Sequence, residues 1–390
     1  MRSLRKAGIK DKTVVIRADF NVPIKDGKVT SEKRIRSAMP TIEYCLKKGA
    51  RRIVLMSHLG RPKGKPDKDF SLLPVAKVLK RLLKKKVDFI EDISNVEKGL
   101  LDSYVSKVAL LENLRFFPEE KHNDAKFARR LASLGDIYVN DAFGTSHRKH
   151  ASVHAITRYL PSYPGFLLES ELSNLDLDNP KRPFVFIIGG AKVSDKIGVL
   201  KKMSKKADVT LVGGAMSFTF MRAMGIDTGK SLVEEDKLDQ ARSLMRSSKE
   251  RLCLPLDVKI STSLKRPSNV KSVRVESIPK GAYGLDIGPE TVEAFSHIIS
   301  KSKTVLWNGP MGLFEMKPFD KGTKDIARSV AKSKGKTIIG GGDSVSAVEG
   351  AKLESQMTHI STGGGASLEL IEGKRLPGLT ALENNAKKRF

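Results

Sequence analysis

Arginine and histidine recur where short apolar segments end in the first half of this 390-residue chain. Four strand-like segments there run into polar clusters, and three of the four clusters carry Arg or His; the clusters are residues 18–23, 57–62, 112–115 and 140–148. In open α/β sheets, ligands bind outside the carboxyl ends of the strands. Because the planar guanidinium binds phosphate or carboxylate bidentately, these positions predict a site for a small, multiply charged anion.

Glycine takes the corresponding positions in the second half. Four apolar segments break into glycine, within residues 184–192, 209–214, 337–343 and 359–365. Such a segment followed by a helical pattern is typical of a buried parallel strand and a tight turn, where backbone N–H groups can approach an anion. One such turn also serves ordinary packing, but four together indicate a phosphate-rich ligand along one sheet edge. The two halves together predict a two-domain phosphotransferase.

The elements that must position these residues alternate along the chain. Helical patterns lie at residues 34–48, 72–85, 124–134, 195–206, 237–249, 290–300, 321–332 and 344–352. Their alternation with strand-like segments predicts an α/β protein with parallel sheets covered on both faces. Pro40 predicts a kink or a boundary in the first helix.

A Pro/Gly-rich stretch, residues 161–166, precedes a helix-like segment at 167–175. A helix between such ends can act as a stiff hinge. We therefore predict two Rossmann-like, doubly wound domains joined by a helical hinge, with an open cleft between them. The predicted bounds are 1–163 for the first domain, 164–178 for the hinge and 179–375 for the second domain.

Size and composition restrict the class of protein. A chain of this length, 39% hydrophobic, indicates a globular protein with more than one core. No uncharged apolar stretch approaches the ~18–20 residues of a membrane span, and the first residues carry no apolar export signal. The two cysteines, Cys45 and Cys253, are far apart, and reduced core thiols of a cytoplasmic protein are the simplest interpretation.

The net charge of +27 needs its own interpretation. Residues 1–163 hold 35 Lys/Arg against 18 Asp/Glu, and residues 164–390 hold 36 against 26, so both halves are basic. Much of the excess, in 77–86 and 201–206, has the spacing of a solvated helix face. Neither aromatic-interleaved basic motifs nor zinc-finger spacings indicate dedicated nucleic-acid binding. The charge can still steer anionic substrates, and a nucleic-acid-binding or scaffold protein remains the alternative from another class.

Two glycine motifs do not qualify as phosphate loops. The two glycines within residues 225–231 are separated by one residue too few for GxxxxGK[ST], and residues 60–65 fail the same test. A structural turn is the better interpretation of both. The glycine-rich loop, His-Arg-Asp and Asp-Phe-Gly of protein kinases are also missing. Any kinase here therefore belongs to a different lineage, and another small-molecule kinase on a related two-domain fold stays a second alternative.

Ordered motifs along nearly the whole chain resemble those of the phosphoglycerate kinases. They are RADFNVP at 17–23, RIR at 34–36, SHLGRP at 57–62, LENLRF at 111–116, NDAFGTSHR at 140–148, GGAKVSDK at 189–196, GLDIGP at 284–289, WNGPMG at 307–312, FE at 314–315, GGGDS at 340–344 and STGGGA at 361–366. The resemblance implies reversible, Mg²⁺-dependent phosphoryl transfer in glycolysis between ATP and the carboxylate of 3-phosphoglycerate, giving ADP and 1,3-bisphosphoglycerate. It also implies a cytoplasmic monomer without a membrane partner.

That chemistry agrees with the residue types. A carboxylate nucleophile is already ionised at neutral pH, so the reaction needs no general base, and none stands out in the sequence. The reaction needs neutralisation of charge on the transferring phosphoryl group and alignment of two mutually repelling anions.

By the family's pattern, the first half binds the acid. Asp19, Asn21 and Arg34 would hold its carboxylate and hydroxyl end, while His58, Arg61, Arg115 and Arg148 would clamp its phosphate. Leu59 and Gly60 belong to the same motif. A lone arginine is more often a surface ion-pair partner, and a lone histidine is often structural; their position inside family motifs favours the functional interpretation.

The second half would bind the nucleotide. Lys192 and Lys196 are spaced i, i+4 at a helix start, which predicts that both ammonium groups face one phosphate chain. The resemblance assigns Arg34, Lys192 and Lys196 to catalysis. Asp343 would carry Mg²⁺, with a plain helix N-cap as its alternative role. The other nucleotide-site residues that the resemblance implies are Gly189, Gly190, Gly213, Gly284, Asn308, Glu315 for the ribose, Gly341, Gly342, Ser344, Thr362, Gly363 and Gly364.

Two departures from the family's pattern stand out. Ala215 takes the place of a third glycine beside the expected adenine pocket, and the segment 251–280 is shorter than expected. The family's pattern also places the tail, residues 376–390, back against the first domain. Because the two anion sites are assigned to separate domains, we expect the domains to close by hinge rotation about 167–175 when both ligands bind.

Overall fold

The computed structural model of the protein describes residues 1–93, 106–248 and 251–388. The chain divides into two compact units, Met1–Ser173 with Arg375–Phe390, and Asn174–Lys374. Each unit is built on its own parallel sheet with helices, so the predicted α/β class is confirmed. No helix of the described residues is long and apolar enough to cross a membrane.

The sheet of the first unit has six parallel strands in the order β5-β6-β4-β1-β7-β8. The strands of this unit are β1 Thr13–Ala18, β2 Ile24–Lys25, β3 Lys28–Val29, β4 Arg52–Met56, β5 Val87–Ile90, β6 Val108–Leu111, β7 Ile137–Asp141 and β8 Ser162–Pro164; β2 and β3 form a separate antiparallel hairpin. The central strand β1 is buried at every residue, as expected for a sheet covered on both faces. From β1 the chain first builds one side of the sheet and later the other. The point where it reverses lies between β1 and β7, and ligands bind at such points.

The helices of the first unit follow the apolar periodicity of the sequence. They are α1 Lys33–Lys47, α2 Leu73–Leu83, α3 Pro118–Lys121, α4 Ala125–Ser133, α5 Phe166–Leu175, which continues into the second unit, and α13 Pro377–Ala386. Of the kink or boundary predicted at Pro40, the boundary is wrong, because α1 runs through this residue. Pro40 lacks the N–H that would bond one turn back, but burial of Ile35, Ile42 and Cys45 in the core holds the helix together.

Helix α5, the predicted hinge, begins where side chains replace missing backbone partners. The Thr41 hydroxyl accepts a hydrogen bond from Phe166 N at 2.9 Å, and Oδ1 of Asp141 accepts from Leu167 N at 2.9 Å and Leu168 N at 3.2 Å. These are N–H groups that the first helical turn leaves unpaired. The carboxyl end of β7 therefore fixes the start of the helix.

The sheet of the second unit has the strand order β11-β10-β9-β15-β16-β17, all parallel. Its strands are β9 Phe184–Ile188, β10 Val209–Val212, β11 Leu252–Cys253, β15 Thr304–Asn308, β16 Lys336–Gly340 and β17 His359–Ile360. In chain order this is the 3-2-1-4-5-6 arrangement of dinucleotide-binding folds. The reversal point lies between β9 and β15, so the loops that follow Ile188 and Asn308 stand where a ligand is expected.

A small antiparallel sheet, which the sequence patterns do not predict, flanks this unit. It has the order β13-β12-β14, from strands β12 Asp257–Ser261, β13 Lys271–Arg274 and β14 Tyr283–Ile287. The helices of the second unit are α6 Ile197–Lys206, α7 Met216–Ala223, α8 Leu238–Ser247, α9 Pro289–Ser300, α10 Lys321–Lys332, α11 Gly342–Gly350 and α12 Gly365–Ile371. The small sheet packs on α7 through Phe218 and Met221, apart from the main core.

Candidate active site

The loop after β1 and the start of α1 form one side of the predicted acid site. Asp19 follows the end of β1, its side chain is 7% exposed, and it forms an ion pair with Arg34 of α1. Oδ1 of Asp19 also accepts a hydrogen bond from Asn21 N at 3.2 Å. Burial of a carboxylate is costly without compensation, and the ion pair with the 34%-exposed Arg34 supplies it. The pair holds Arg34 beside this loop.

The loops after β4 and β6 are joined to the first loop by hydrogen bonds. The Asn21 side-chain oxygen accepts from Gly60 N at 2.8 Å, and Arg115 Nη1 donates to the Gly60 carbonyl at 2.5 Å. Leu59 N donates to the Asn113 side chain at 3.2 Å. Gly60 has φ = +58°, which favours glycine, and a Cβ there would collide with the ring of Phe70.

Mutually repelling cations surround these loops. Burial and the charges of Arg17, Arg115 and Arg148 hold the pKa of His58 well below its usual range. Burial and the charges of Arg148 and Arg17 lower the pKa of Arg115 to about 10, and burial and the charge of Arg61 lower the pKa of Arg148. His58 is therefore neutral at pH 7, unlike the cationic clamp that the motif alone suggests.

One donor in this cluster lacks a partner. Arg115 is only 4% exposed, and its buried Nε forms no hydrogen bond to the described residues. A buried N–H without an acceptor is costly. An anion bound beside Arg115 would both satisfy this donor and relieve the repulsion among the arginines.

Arg17 belongs to the site but is absent from the predicted site residues. It is the last residue but one of β1, has no exposed surface and donates from Nε to Ser152 Oγ at 2.9 Å. Its Nη1 donates to the Ala18 carbonyl, and its Nη2 lies 3.1 Å from Nδ1 of His58. The position of Arg17 beside the Asp19 loop in its motif is the sequence signal that could have found it.

The tail contacts the loop that carries Arg148. Gly378, at the start of α13, donates from its backbone N to the Ser146 carbonyl at 2.9 Å. A Cβ at Gly378 would come within 2.9 Å of Val153. Arg148 itself donates from Nε to His147 Nε2 at 3.2 Å. The tail therefore buttresses one of the predicted phosphate-binding loops within the first unit.

A cavity of about 510 Å³ in the second unit gathers four of the predicted nucleotide residues. Gly190, Gly284, Glu315 and Asp343 line it. Most of the other lining residues are apolar or small. The full set of these other residues is Ala191, Ala215, Lys230, Ser231, Leu232, Leu264, Tyr283, Leu285, Pro310, Gly312 and Leu313. An apolar cavity with a few convergent polar groups is typical of a small-molecule site.

At the carboxyl end of β15, the buried side-chain amide of Asn308 pairs with Lys196. Lys196, the N-cap residue of α6, donates from Nζ to the side-chain oxygen of the fully buried Asn308. Burial lowers the pKa of Lys196, while Asp343 and Asp195 oppose that shift. The Nδ2 group of Asn308 is buried without a partner among the described residues. This unpaired donor suits an anionic oxygen at the reversal point of the sheet.

The predicted helical pairing of Lys192 with Lys196 is wrong. Helix α6 begins only at Ile197, so Lys192 lies in the preceding loop with an exposed side chain. The reason is Ser194, which does not cap the helix but donates from Oγ to Glu234 at 2.6 Å. The direction of the Lys192 side chain is therefore not set by helical spacing relative to Lys196.

The glycines serve two different purposes. A Cβ at Gly189 would come within 2.0 Å of the Pro310 carbonyl, and one at Gly213 within 2.6 Å of the Met311 sulfur, so both permit close packing under the site. At Gly190 and Gly342 a Cβ meets almost nothing, but Gly190 has φ = +121° and lines the cavity. Gly341, with φ = +85°, packs against Asn308 and is the N-cap residue of α11.

Asp343 lies inside the first turn of α11, so the alternative role as a plain N-cap does not hold. Its carboxylate is exposed and lines the cavity. The next residue, Ser344, is buried, and its Oγ accepts a hydrogen bond from Gly309 N. Among the described residues, no group of three or more His, Cys, Asp or Glu side chains could hold a metal ion. A lone carboxylate nevertheless fits Mg²⁺, which takes one or two carboxylates together with phosphate oxygens and water.

The remaining predicted residues lie in the loop between β17 and α12. Gly363 N donates to Ser361 Oγ at 3.1 Å, and Gly364, with φ = +52°, is the N-cap residue of α12. Thr362 lies beside them and is half-buried. None of these three lines the 510 Å³ cavity.

The rejected glycine motif at 225–231 contributes to the site in another way. Its turn brings Lys230 and Ser231 to the cavity wall, and Ser231 Oγ accepts from Gly284 N at 2.9 Å. Ala215 also lines the cavity, as its place beside the expected adenine pocket implied. Trp307 is fully buried and donates from Nε1 to the Gly309 carbonyl at 2.7 Å, so its role is packing beneath the site.

Comparisons with known proteins agree with this geometry. The sequence model of the phosphoglycerate kinase family matches residues 4–374. The chain is 51% identical over 384 residues to the phosphoglycerate kinase of Rubrobacter xylanophilus, with 98% of both chains covered. It is 50% identical over 398 residues to that of Synechococcus elongatus, with 99% of both covered.

Solved structures give the same result. The structure is similar to phosphoglycerate kinase from Coxiella burnetii with a TM-score of 0.90 and 39% identity, over 99% of this chain and 100% of the other. For the phosphoglycerate kinase of Pyrococcus horikoshii the TM-score is 0.85 and the identity 31%, over 100% of both chains.

Proposed function

The chain belongs to the phosphoglycerate kinase family, and from that premise we propose which residues of each unit carry the reaction. The resemblance inferred from the motifs is confirmed: the protein is a glycolytic kinase with ATP/ADP and phosphoglycerate as substrates. In our proposal the first unit binds the acid and the second binds the nucleotide. Phosphoryl transfer then takes place between ligands held by different units.

The observation that carries the acid assignment is the cluster of arginines whose pKa values are lowered by burial and by mutual repulsion, with one buried guanidinium donor left unpaired. His58, Arg61, Arg115 and Arg148 bind the phosphate of 3-phosphoglycerate. Asp19, Asn21 and Arg34 bind its hydroxyl and carboxylate end. Leu59 and Gly60 shape the loop between these groups. Arg34 therefore has its guanidinium beside the nucleophilic carboxylate.

In the second unit, Lys196 and Lys192 neutralise the phosphate chain, and Asn308 donates a hydrogen bond to it. Glu315 binds the ribose, while the apolar wall around Ala215 and Leu313 takes the base. Gly190 and Gly342 leave room for the ligand, and Gly189, Gly213, Gly284 and Gly341 permit close packing beside it. Ser344 fixes the Gly309 loop; Thr362, Gly363 and Gly364 present backbone groups.

Catalysis in this arrangement is positioning and charge neutralisation. The acceptor carboxylate is ionised at pH 7, so none of the assigned residues acts as a base. Arg34 orients the acceptor oxygen, and Lys196 and Lys192 balance the charge that spreads over the transferring phosphoryl oxygens. Asp343 would hold Mg²⁺, which when bound to the nucleotide neutralises phosphate charge.

Separate binding experiments on the two ligands test the assignment of the units. We expect Arg148→Ala to weaken binding of 3-phosphoglycerate by ~10-fold or more, because it removes a charge-assisted hydrogen bond, and to leave ADP affinity within about twofold. Lys149→Ala, the exposed neighbour, is the matched control. Calorimetric titration measures both ligands. A fall in ADP affinity for Arg148→Ala, with acid affinity intact, would show that the units are assigned the wrong way round.

Cytoplasmic location and a monomeric state are also part of this proposal, supported by the glycolytic assignment. Light scattering from a size-exclusion column tests the second. The nucleic-acid-binding alternative predicts retention on DNA without ATP turnover. A coupled assay across phosphorylated and unphosphorylated carboxylic acids separates both alternatives from 3-phosphoglycerate kinase activity.

A further inference from the structure

A chain of buried hydrogen bonds leads from a carboxylate to the predicted acid site. Glu120, in α3, has no exposed surface and accepts from Ser152 N at 2.9 Å and from Ser152 Oγ at 2.6 Å. Ser152 Oγ in turn accepts from Arg17 Nε at 2.9 Å. Arg17 reaches His58 at the other end of its guanidinium. The chain therefore runs Glu120, Ser152, Arg17, His58.

The direction of each hydrogen bond in this chain follows from chemistry. A serine hydroxyl has one proton, and Ser152 gives it to Glu120, so towards Arg17 its oxygen can only accept. A guanidinium has donors and no acceptor. Its contact with Nδ1 of His58, at 3.1 Å, therefore requires a lone pair on Nδ1. Arg17 and Glu120 are both buried, and this chain places their opposite charges together.

We propose that Arg17 is a positioning residue that fixes His58 as the neutral tautomer with its proton on Nε2. This inference rests on the proposed assignment of His58 to the acid site. In that site His58 binds the anion as a hydrogen-bond donor through Nε2–H, and the positive charge comes from the arginines alone. Among the described residues none forms a hydrogen bond with Nε2 of His58, so this donor remains for a ligand.

The consequence for binding is directional. A cationic histidine attracts any anion, whereas a single fixed N–H selects an acceptor at one place. Arg17 thereby makes His58 a directional hydrogen-bond donor and not a source of positive charge. It also keeps the ring orientation fixed, because Ala18, Ser152 and His58 together occupy all three nitrogens of the Arg17 guanidinium.

The tautomer can be measured directly in the wild-type enzyme. Long-range ¹H–¹⁵N correlation spectra of ¹⁵N-histidine-labelled protein, with His58 assigned by its loss in His58→Gln, report which nitrogen carries the proton. At pH 7 we expect a single neutral species protonated at Nε2. A proton on Nδ1, or an imidazolium, would overturn the proposal whatever any variant does.

Variants test the role of Arg17 itself. Arg17→Lys provides one point donor instead of a fork, so we expect the Nδ1–H tautomer to appear in the spectrum. We expect KM for 3-phosphoglycerate to rise by ~10-fold, about the value of one hydrogen bond, with KM for ATP within about twofold. Ser152→Ala, which leaves Arg17 in place but unbraced, should move both readouts in the same direction and less. An unchanged tautomer and unchanged KM in the two variants would exclude the role.

Adding 3-phosphoglycerate distinguishes this inference from the proposed function. The His58 Nε2 resonance of the wild-type enzyme should move on titration with the acid and stay in place with ADP. If the tautomer is as expected but the acid leaves this resonance unmoved, the placement of the acid beside His58 is wrong, and the role of Arg17 in binding is excluded with it.

Discussion

At the scale of single residues, charge placement decides the chemistry of this kinase. Arg34 pairs with the buried Asp19, and Lys196 pairs with the buried Asn308. Both cations are thus held in place before any ligand binds. Preorganised charge of this kind costs no reorganisation when the transition state forms.

Removing either cation should reduce turnover far more than it reduces stability. We expect Arg34→Ala and Lys196→Ala each to lower kcat by ~10²–10³, the usual loss for one preorganised group at a transition state. Arg36→Ala and Lys201→Ala serve as controls, because Arg36 is exposed on the helix of Arg34 and Lys201 is exposed on the helix that follows Lys196. Steady-state kinetics with thermal unfolding as a check measures the effect. Near-normal turnover in both site variants would contradict the mechanism.

Residue identity at the site was readable from sequence only in part. The motifs contain Asp19, Arg34 and Lys196, whose charged side chains indicate their roles in binding and charge neutralisation. They do not show that His58 is neutral, because its pKa depends on burial and on arginines from four separate parts of the chain. Nor do they separate Arg17, which turns inward to Ser152, from an arginine that faces ligand.

At the scale of elements, strands and their ends were predictable, but their packing was not. A β-rich apolar run ending in glycine identifies β9, β10 and β16 well. The antiparallel strands β12–β14 lack such runs. Strand β13 is mostly exposed, so its sequence shows no apolar face. The true start of α6 depends on Glu234, which is 40 residues from Ser194 in sequence and invisible to a local pattern.

Strand β14 anchors the loop that carries Glu315. Asp286, 3% exposed, accepts from Gly322 N at 2.8 Å and from Ile287 N at 3.0 Å. A Cβ at Gly312, which lines the cavity, would come within 2.3 Å of this carboxylate. Burial raises the pKa of Asp286 to about 7.

That shift makes a signed prediction about stability. A carboxyl group whose pKa is higher in the folded state binds more protons folded than unfolded between pH ~4 and ~7. Its contribution to the free energy of unfolding is therefore largest below pH 4 and is lost as pH rises to 7. A pKa change of about three corresponds to about 4 kcal/mol, so this is the upper bound of the effect.

The variant Asp286→Asn removes the titration. We expect the free energy of unfolding of the variant minus that of the wild type to increase between pH 4 and 7, and to level off above pH 7. Urea unfolding at each pH measures it. Asp239→Asn, whose carboxylate is 95% exposed, controls for the loss of one negative charge. A difference that does not change with pH would mean that Asp286 does not titrate in this range.

At the scale of the whole molecule, the end of the chain completes the unit where it began. In α13, Leu382 is fully buried and Asn385 is 1% exposed. The Asn385 amide donates to the Thr157 carbonyl at 2.6 Å and the Leu160 carbonyl at 2.9 Å, and its oxygen accepts from Ser162 N at 2.9 Å. The tail is thus part of the first unit's fold.

Deleting residues 379–390 should slow turnover more than it weakens the binding of either substrate. The deletion exposes the surface under Leu382 and leaves the groups around Asn385 unpaired, next to the loop of Arg148. Asn385→Ala is the milder version, with an expected loss of about 3 kcal/mol for three buried hydrogen bonds. Glu383→Ala, exposed on the same helix, is its control. Full activity and stability in the truncated enzyme would exclude the tail from catalysis.

The last prediction follows from the assignment of the two anions to different units. Direct transfer requires the acceptor oxygen and the γ-phosphorus to come within ~3–3.5 Å, with water excluded. Neither unit can achieve this alone, so we expect closure about α5, whose start Asp141 and Thr41 fix, when both ligands bind. Small-angle scattering should show a smaller radius of gyration with 3-phosphoglycerate and a non-hydrolysable ATP analogue together than for the free enzyme.

Each ligand alone should produce less of this change, and Arg148→Ala, which binds the acid poorly in our proposal, should not compact at acid concentrations that saturate the wild type. The variant therefore separates closure from non-specific effects of the anions on the strongly basic chain. A radius of gyration that stays constant in the doubly liganded wild type would exclude hinge closure. The phosphoryl group would then have to travel between units by a route other than direct contact.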